Sequence, residues 1–230
     1  MSRTYLLLAG LLGGMLLFGC SDGETDTGTG AVGGAGGTGG SAGSGGGGSG
    51  GAGGGDPSCT GLIDLAVWDF NGSSLAPSMV ATNVIAENFT SKDGQPTTLN
   101  SGGVELCTES GWTLPMDDPN LNYLEGSIRP ATGFEIRLEN IEFEQATLSR
   151  SVGPTTWNIR SSLDGFAADI PGGQGLTSEL PQLTTTLVDL NSFPVQSGDI
   201  TFHWHGFGAT NANTEWGVDN VIIHGSVCSQ

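Results

Sequence analysis

Between Thr27 and Gly55 the chain carries 18 glycines in 29 residues. Glycine loses more backbone freedom on ordering than any other residue, and the interspersed Ser, Thr and Ala bring no apolar surface to offset that loss. No Gly-X-Y period points to a collagen-like assembly. Ser21 to Asp56 therefore reads as a spacer, which as a coil of about 35 residues reaches on the order of 30–35 Å. It divides the chain into a short leader and the 174 residues from Pro57 to Gln230, enough for one domain with a sizeable core.

In the leader, Arg3 precedes an apolar run from Tyr5 to Phe18, followed by Gly19-Cys20 and the polar Ser21-Asp22. The run is short for a membrane span and stops in small and polar residues, as processed signals do. Leu17-Phe18-Gly19-Cys20 resembles the lipobox of bacterial lipoproteins, with Phe18 where a small residue is usual. The resemblance implies a signal peptide over 1–19, an acylated (palmitate-bearing) Cys20, and a lipidated, disordered Gly/Ser-rich linker over 20–56. It implies a lipid bilayer as partner through Cys20. Ser21 implies sorting to the bacterial outer membrane, and the spacer favours exposure at the surface over a periplasm-facing domain. An ordinary cleaved signal followed by a thiol is the alternative.

The 57–230 region holds 20 acidic and 5 basic side chains. That imbalance repels nucleic acid and anionic lipid surfaces and attracts divalent cations. With Cys20 acylated, Cys59, Cys107 and Cys228 remain, and export permits one disulfide. Pairing of Cys59 with Cys228 clips the ends of the domain together if those ends lie side by side, and Cys59 with Cys107 is the rival. No cysteine spacing matches a zinc knuckle or a redox motif.

Short strand-like runs separated by Gly, Pro, Asn, Asp and Ser recur along the domain. They include Leu62 to Phe70, Val80 to Phe89, Tyr123 to Ile128, Thr184 to Leu190, Ile200 to Trp204 and Trp216 to Val227. Phe134-Glu135-Ile136-Arg137-Leu138-Glu139 alternates apolar and charged, and Ile141-Glu142-Phe143-Glu144 resumes the pattern out of phase. A turn or bulge at Asn140 keeps both apolar sets on one face. No 3.6-residue apolar period competes. The fold class is all-β, a jelly-roll-like antiparallel β-sandwich.

Trp68-Asp69-Phe70-Asn71-Gly72, the block from Gly153 to Phe166, and Gly217-Val218-Asp219-Asn220-Val221-Ile222-Ile223-His224-Gly225 together resemble extracellular bacterial jelly-roll domains. Such domains occur in lipoproteins and surface-sorted proteins and are similar to MAM and carbohydrate-binding sandwiches. The resemblance spans Leu62 to Ser226. It implies a surface module and transfers no catalytic set.

Asp69 and Asp219 share strand parity with apolar neighbours, so each needs donors, a positive partner or a cation if those neighbours face inward. The resembling sandwiches place a structural calcium near their terminal strands. Asp69, Asp219 and Asn220 are the oxygen ligands such a site would draw on, calcium being the one cofactor considered. Hydrogen bonding without metal is the competing reading. His203 and His205 flank Trp204 and point to one face, at a spacing that zinc or copper uses but with no third ligand in view. Solvent-facing histidines are the plainer account.

Trp68, Trp157 and Trp204 fit strand faces toward a core. Trp112 and Trp216 adjoin polar stretches and are the candidates for exposed rings that stack on sugars, with Asn211, Asn213 and Glu215 as polar contacts. Ser161, Ser162, Asp164 and Gly165 read as a turn, not a nucleophile site.

The sequence thus favours a surface-tethered, non-enzymatic β-sandwich lipoprotein acting in adhesion, in envelope organisation or as an accessory module, with a glycan or surface protein as partner. A carbohydrate-binding lipoprotein is the sharper alternative. A glycan hydrolase is the remote one, since no carboxylate pair stands out.

Overall fold

The computed structural model describes residues 58–92, 96–101, 104–114 and 121–230. The signal, Cys20 and spacer readings fall outside the described residues.

The described residues form thirteen strands: β1 Ile63–Trp68, β2 Met79–Val80, β3 Val84–Ala86, β4 Thr90–Ser91, β5 Thr97–Ser101, β6 Val104–Glu109 and β7 Leu124–Pro130, then β8 Phe134–Thr147, β9 Thr156–Ser161, β10 Asp169–Leu176, β11 Thr184–Asp189, β12 Ile200–Phe207 and β13 Trp216–Ser229. One sheet runs β11-β8-β13-β1-β2, with β6 on β13 and β5 outside β6. The other runs β10-β9-β12-β7-β3, with β4 also on β7. Every strand pair is antiparallel, giving a two-sheet sandwich of jelly-roll type. Among the described residues no helix is long and apolar enough to cross a membrane.

Alternation explains the inner faces. Ile136 and Leu138 of β8 are buried, and so are Ile141 and Phe143, because a register shift opposite His224/Gly225 inserts an extra residue beside Asn140. The phase change is a bulge within one continuous strand. The core joins Trp68, Phe70 and Phe89 to Trp204, with Phe89 edge-on to Trp68 at 5.6 Å and to Phe70 at 5.1 Å. Trp68 and Trp204 are fully buried and Trp157 nearly so. Ser162–Asp164 forms a short 3-10 turn capped by left-handed Gly165, and the Asp164 carboxylate accepts from the amides of Ala167 and Ala168.

Cys59 and Cys228 form a disulfide, and Cys107 is a buried free thiol that desolvation pushes well above its ordinary range. Cys107 lies on β6, paired through β13 rather than beside Cys59.

The 80–89 run is not one strand: a turn at Ala81–Asn83, with Asn83 in the left-handed region, separates β2 from β3. β5 and β6 form a hairpin in which Ser101 pairs with Val104.

Candidate functional site

The chemistry gathers on the outer face of the six-stranded sheet. β12 sends Phe202 and Trp204 into the core, so His203 and His205 emerge on the other side. In register across from them, β9 supplies Arg160 opposite His203 and Asn158 opposite His205. β10 then sets Asp169 beside Arg160 and Gln174 beside Asn158, and β7 sets Glu125 beside His203.

The polar groups interlock. The Asp169 carboxylate accepts from Arg160 Nε at 2.9 Å and from Asn158 Nδ2 at 2.5 Å. His203 Nε2 lies 2.8 Å from Glu125 Oε2, and its ring is stacked between Tyr123 (3.8 Å, 4°) and Phe166 (3.9 Å, 7°). The two imidazoles are therefore buried and not solvent-facing, because rings from β7's approach and from the turn after Gly165 close over them. Burial holds His203 below the ordinary histidine range against the opposing pull of Glu125, and pushes His205 down to about 4. Neither gives a metal centre: among the described residues no three His, Cys, Asp or Glu side chains converge to hold an ion.

Two hollows flank this row. Thr156, Trp157, Gln174, Gly175 and Leu176 line one of about 330 Å³, and Leu176 there is 68% exposed. Ser127, Arg129, Asp199 and Thr201, with Ile85 and Glu87, line a smaller one of about 170 Å³. A larger groove of about 800 Å³ lies at the disulfide end, bordered by Leu62, Met79, Ala81 and Phe134. Its one carboxylate, Asp64, is already held by His224 Nδ1 at 2.8 Å, Thr60 Oγ1 accepts from the Val227 amide and Ser229 Oγ donates to the Ser58 carbonyl, so size alone does not mark it as the site.

The expected aromatic patch is corrected. Trp112 and Trp216 are fully buried, edge-to-face at 5.3 Å, and cannot present a face to a sugar. Their indole N–H groups donate to Glu109 O and to Gln145 Oε1. The polar residues beside them belong to a turn that folds over the ring pair. Asn211 Oδ1 accepts from the amide of Asn213 at 2.9 Å, and Glu215 accepts from Thr108 Oγ1 at 3.2 Å. Asn211 and Asn213 are exposed but stand over no open ring.

The inward placement of Asp69 and Asp219 is corrected as well. A bulge between Asp64 and Ala66 turns Leu65, Ala66, Trp68 and Phe70 inward, which leaves Asp69 on the outer face. A second bulge, with Asn220 at φ +46°, separates inward Val218 from inward Val221 and sets Asp219 on the face away from the core, where it is still buried at 7% exposure. There Asp219 faces Glu144 across the β13–β8 ladder, and Asn220 Nδ2 donates to Glu144 Oε2 at 2.9 Å. Desolvation, with Glu144, Asp69 and Glu105 adding repulsion, raises Asp219 to about 6, opposed by the Asn220 amide. Among the described residues the acids thus cluster without forming a group that could hold a metal ion.

No family model and no curated protein matches this chain. Among solved structures it is similar to the K3 cleaved adhesin domain of Lys-gingipain from Porphyromonas gingivalis, at 13% identity over 73% of this chain and 100% of that one, with a TM-score of 0.40. A second cleaved adhesin domain of the same protein gives 11% identity over 70% and 99%, with a TM-score of 0.38. A family 29 carbohydrate binding module gives 12% identity over 73% and 89%, with a TM-score of 0.34. At these values the likenesses assign no ligand to this chain.

Proposed function

We propose that the domain is a surface-tethered glycan-binding module whose ligand face is the outer surface of the six-stranded sheet. The observation that carries this reading is the row Glu125, His203, Arg160, Asp169, Asn158 and Gln174, set across four adjacent strands between two hollows. The amide of Gln174, the guanidinium of Arg160 and the carboxylates of Asp169 and Glu125, fixed at strand spacing, match the hydroxyl edges of a sugar. The exposed side chain of Leu176, beside Gln174, suits its C–H faces. A rigid sheet holds such groups better than a loop does. Nothing in the row resembles a glycosidase pair across a cleft, and we assign it binding rather than hydrolysis.

Acylation of Cys20, with outer-membrane placement and surface exposure, supplies attachment in this reading. Two or more acyl chains retain a protein far more firmly than one. Screening residues 21–230 against immobilised polysaccharides tests the function. Expected is binding that Gln174→Ala or Arg160→Ala weakens, whereas uniform absence of binding defeats it. Mass spectrometry of the membrane-extracted protein tests the anchor separately, and an unmodified Cys20 in the soluble fraction would remove it.

The acid cluster supports a second assignment, structural calcium at Asp69, Asp219 and Asn220 with Glu144. Its support is the placement of Asp219 opposite Glu144, with Asn220 bonded to Glu144; desolvation first and repulsion from Glu144, Asp69 and Glu105 second lift Asp219, and a divalent cation relieves both once the side chains reorient around it. Calcium-dependent thermal stabilisation, abolished by Asp219→Asn, is the expected result. Indifference of melting to calcium rejects the assignment.

A further inference from the structure

Among the described residues Leu176 is the most exposed large apolar side chain, yet its backbone is fixed. Its carbonyl accepts from Trp157 Nε1 at 3.2 Å and from Gln145 Nε2 at 3.3 Å. Thr177 is pinned as well, its amide donating to the Thr155 carbonyl at 3.1 Å and its hydroxyl to the Pro154 carbonyl at 2.6 Å. Single exposed leucines are ordinary on a surface. This one is a rigid apolar ridge, and it stands between two hollows.

On one side Leu176 borders the hollow of about 330 Å³ that also holds Gln174. On the other, past the end of β10, it borders a second of about 410 Å³, with Arg150, Ser178, Glu179, Gln182 and Thr184. Each alone is at the low end of small-ligand sites, about 300–1,000 Å³. Together they make one path from the outer face of the six-stranded sheet, over the ridge, to the start of β11. Arg150, Glu179 and Gln182 are exposed, and among the described residues their side chains enter no hydrogen bond or ion pair, so all three are open to a ligand. The hydroxyls of Ser178 and Thr184 bond to each other and keep lone pairs to accept with.

Charge decides what the path admits. No charged residue lines the first hollow, and the second sets one cation, Arg150, with one anion, Glu179. Neither hollow selects a net charge, and the acidic excess of the domain repels a polyanion. Amide, guanidinium and carboxylate groups pair with neutral hydroxyls, and a leucine between them meets a C–H face.

Resting on the glycan-binding reading, we infer that the ligand is a run of several sugars in a neutral, unbranched polysaccharide, lying over Leu176 and filling both hollows at once, with Arg150, Glu179 and Gln182 forming a second subsite beyond the sheet face. Joining two subsites through one chain makes the second contact intramolecular, so affinity climbs with chain length.

The test titrates residues 21–230 calorimetrically, at physiological salt and neutral pH, with the β-1,4-linked di- and hexasaccharides of glucose, mannose and xylose, and with a polyuronate. At least one neutral hexasaccharide should bind at least about thirtyfold more tightly than its disaccharide, more than its extra registers alone confer. Arg150→Gln and Gln182→Ala should each cut that advantage at least about threefold and leave the disaccharide unchanged, whereas Leu176→Ser should weaken both lengths. All three side chains are exposed, so the variants should melt with the parent.

Equal affinity for the two lengths, or a length advantage that survives both second-subsite substitutions, overturns the inference and leaves the glycan-binding reading standing. So does a loss in those variants that falls equally on the disaccharide, or tighter binding of the polyuronate than of every neutral chain. Binding in the polysaccharide screen with none to any hexasaccharide overturns the inference alone. Absence of binding in both assays overturns both readings.

Discussion

Replacing Asp219 by asparagine should stabilise the domain at neutral pH and flatten part of its pH dependence. Asp219 titrates near 3.8 when unperturbed and near 6 in the fold, where desolvation and then Glu144, Asp69 and Glu105 disfavour its charge. Between those values the native state holds a proton that the unfolded chain has released. Native stability therefore falls as pH rises from about 4 to about 6, with the full penalty reached above pH 6. At about 1.36 kcal/mol per pH unit the displacement corresponds to about 3 kcal/mol. The neighbouring carboxylates are partly solvated, and screening reduces the expected gain to about 2 kcal/mol. Asparagine keeps an oxygen for the Asn220 amide, now 2.7 Å from Oδ1, so the bulge loses no bond. Urea unfolding of both proteins from pH 4 to 7.5, in chelator, measures the difference. The comparison must be between the two proteins. His205, displaced downward to about 4, makes stability rise with pH over much of the same interval and masks the Asp219 contribution in the parent alone. The variant should gain about 2 kcal/mol at pH 7, about 4–8 °C in Tm, and nothing near pH 3.5. A gain independent of pH, or none, refutes the electrostatic account of the cluster.

Three further outcomes follow from the packing. Trp216→Ala should lower stability by about 3–5 kcal/mol, since it empties a core site and leaves Gln145 Oε1 without its indole donor; a loss under about 1 kcal/mol in urea melts contradicts the burial. Cys59→Ser with Cys228→Ser should cost about 2–5 kcal/mol in the same assay, because the bond closes a loop with a sequence separation of 169 residues. Cys107 should resist iodoacetamide in the native protein at pH 8 and react once denatured, and fast native labelling would show that its thiol is not sealed in the core.

Alternation carried most of the fold. The phase change at Asn140 was readable because charged residues flank it on both sides, so the two apolar sets are unmistakable. The same device at Leu65 and Asn220 hid, because apolar residues stand on both sides of those bulges and parity continues smoothly through them; hence the misplacement of Asp69 and Asp219. Thr97–Ser101 carries no apolar alternation, because an outer strand paired to β6 can be polar. Trp112 and Trp216 misled in the opposite way. Their sequence neighbours are polar, but burial is decided by contact between β6's far end and β13, more than a hundred residues apart. The outer-face row was half visible in Trp157-Asn158-Ile159-Arg160 and Phe202-His203-Trp204-His205. Each run gives its own outward pair, but only the register of β9 on β12 makes them a site.

The clasp at the ends of the domain decides how it bears load. Ser58 and Thr60 are stitched to Ser229 and Val227 by main-chain hydrogen bonds, and Cys59 to Cys228 covalently. A pull transmitted along the chain into Ser58 cannot unzip β1 one bond at a time, because the covalent link delivers it straight into β13. That strand runs 14 residues between β8 on one side and β1 and β6 on the other, so ladder hydrogen bonds on both edges hold it. A load that enters at Ser58 thus passes to a strand held along both of its edges.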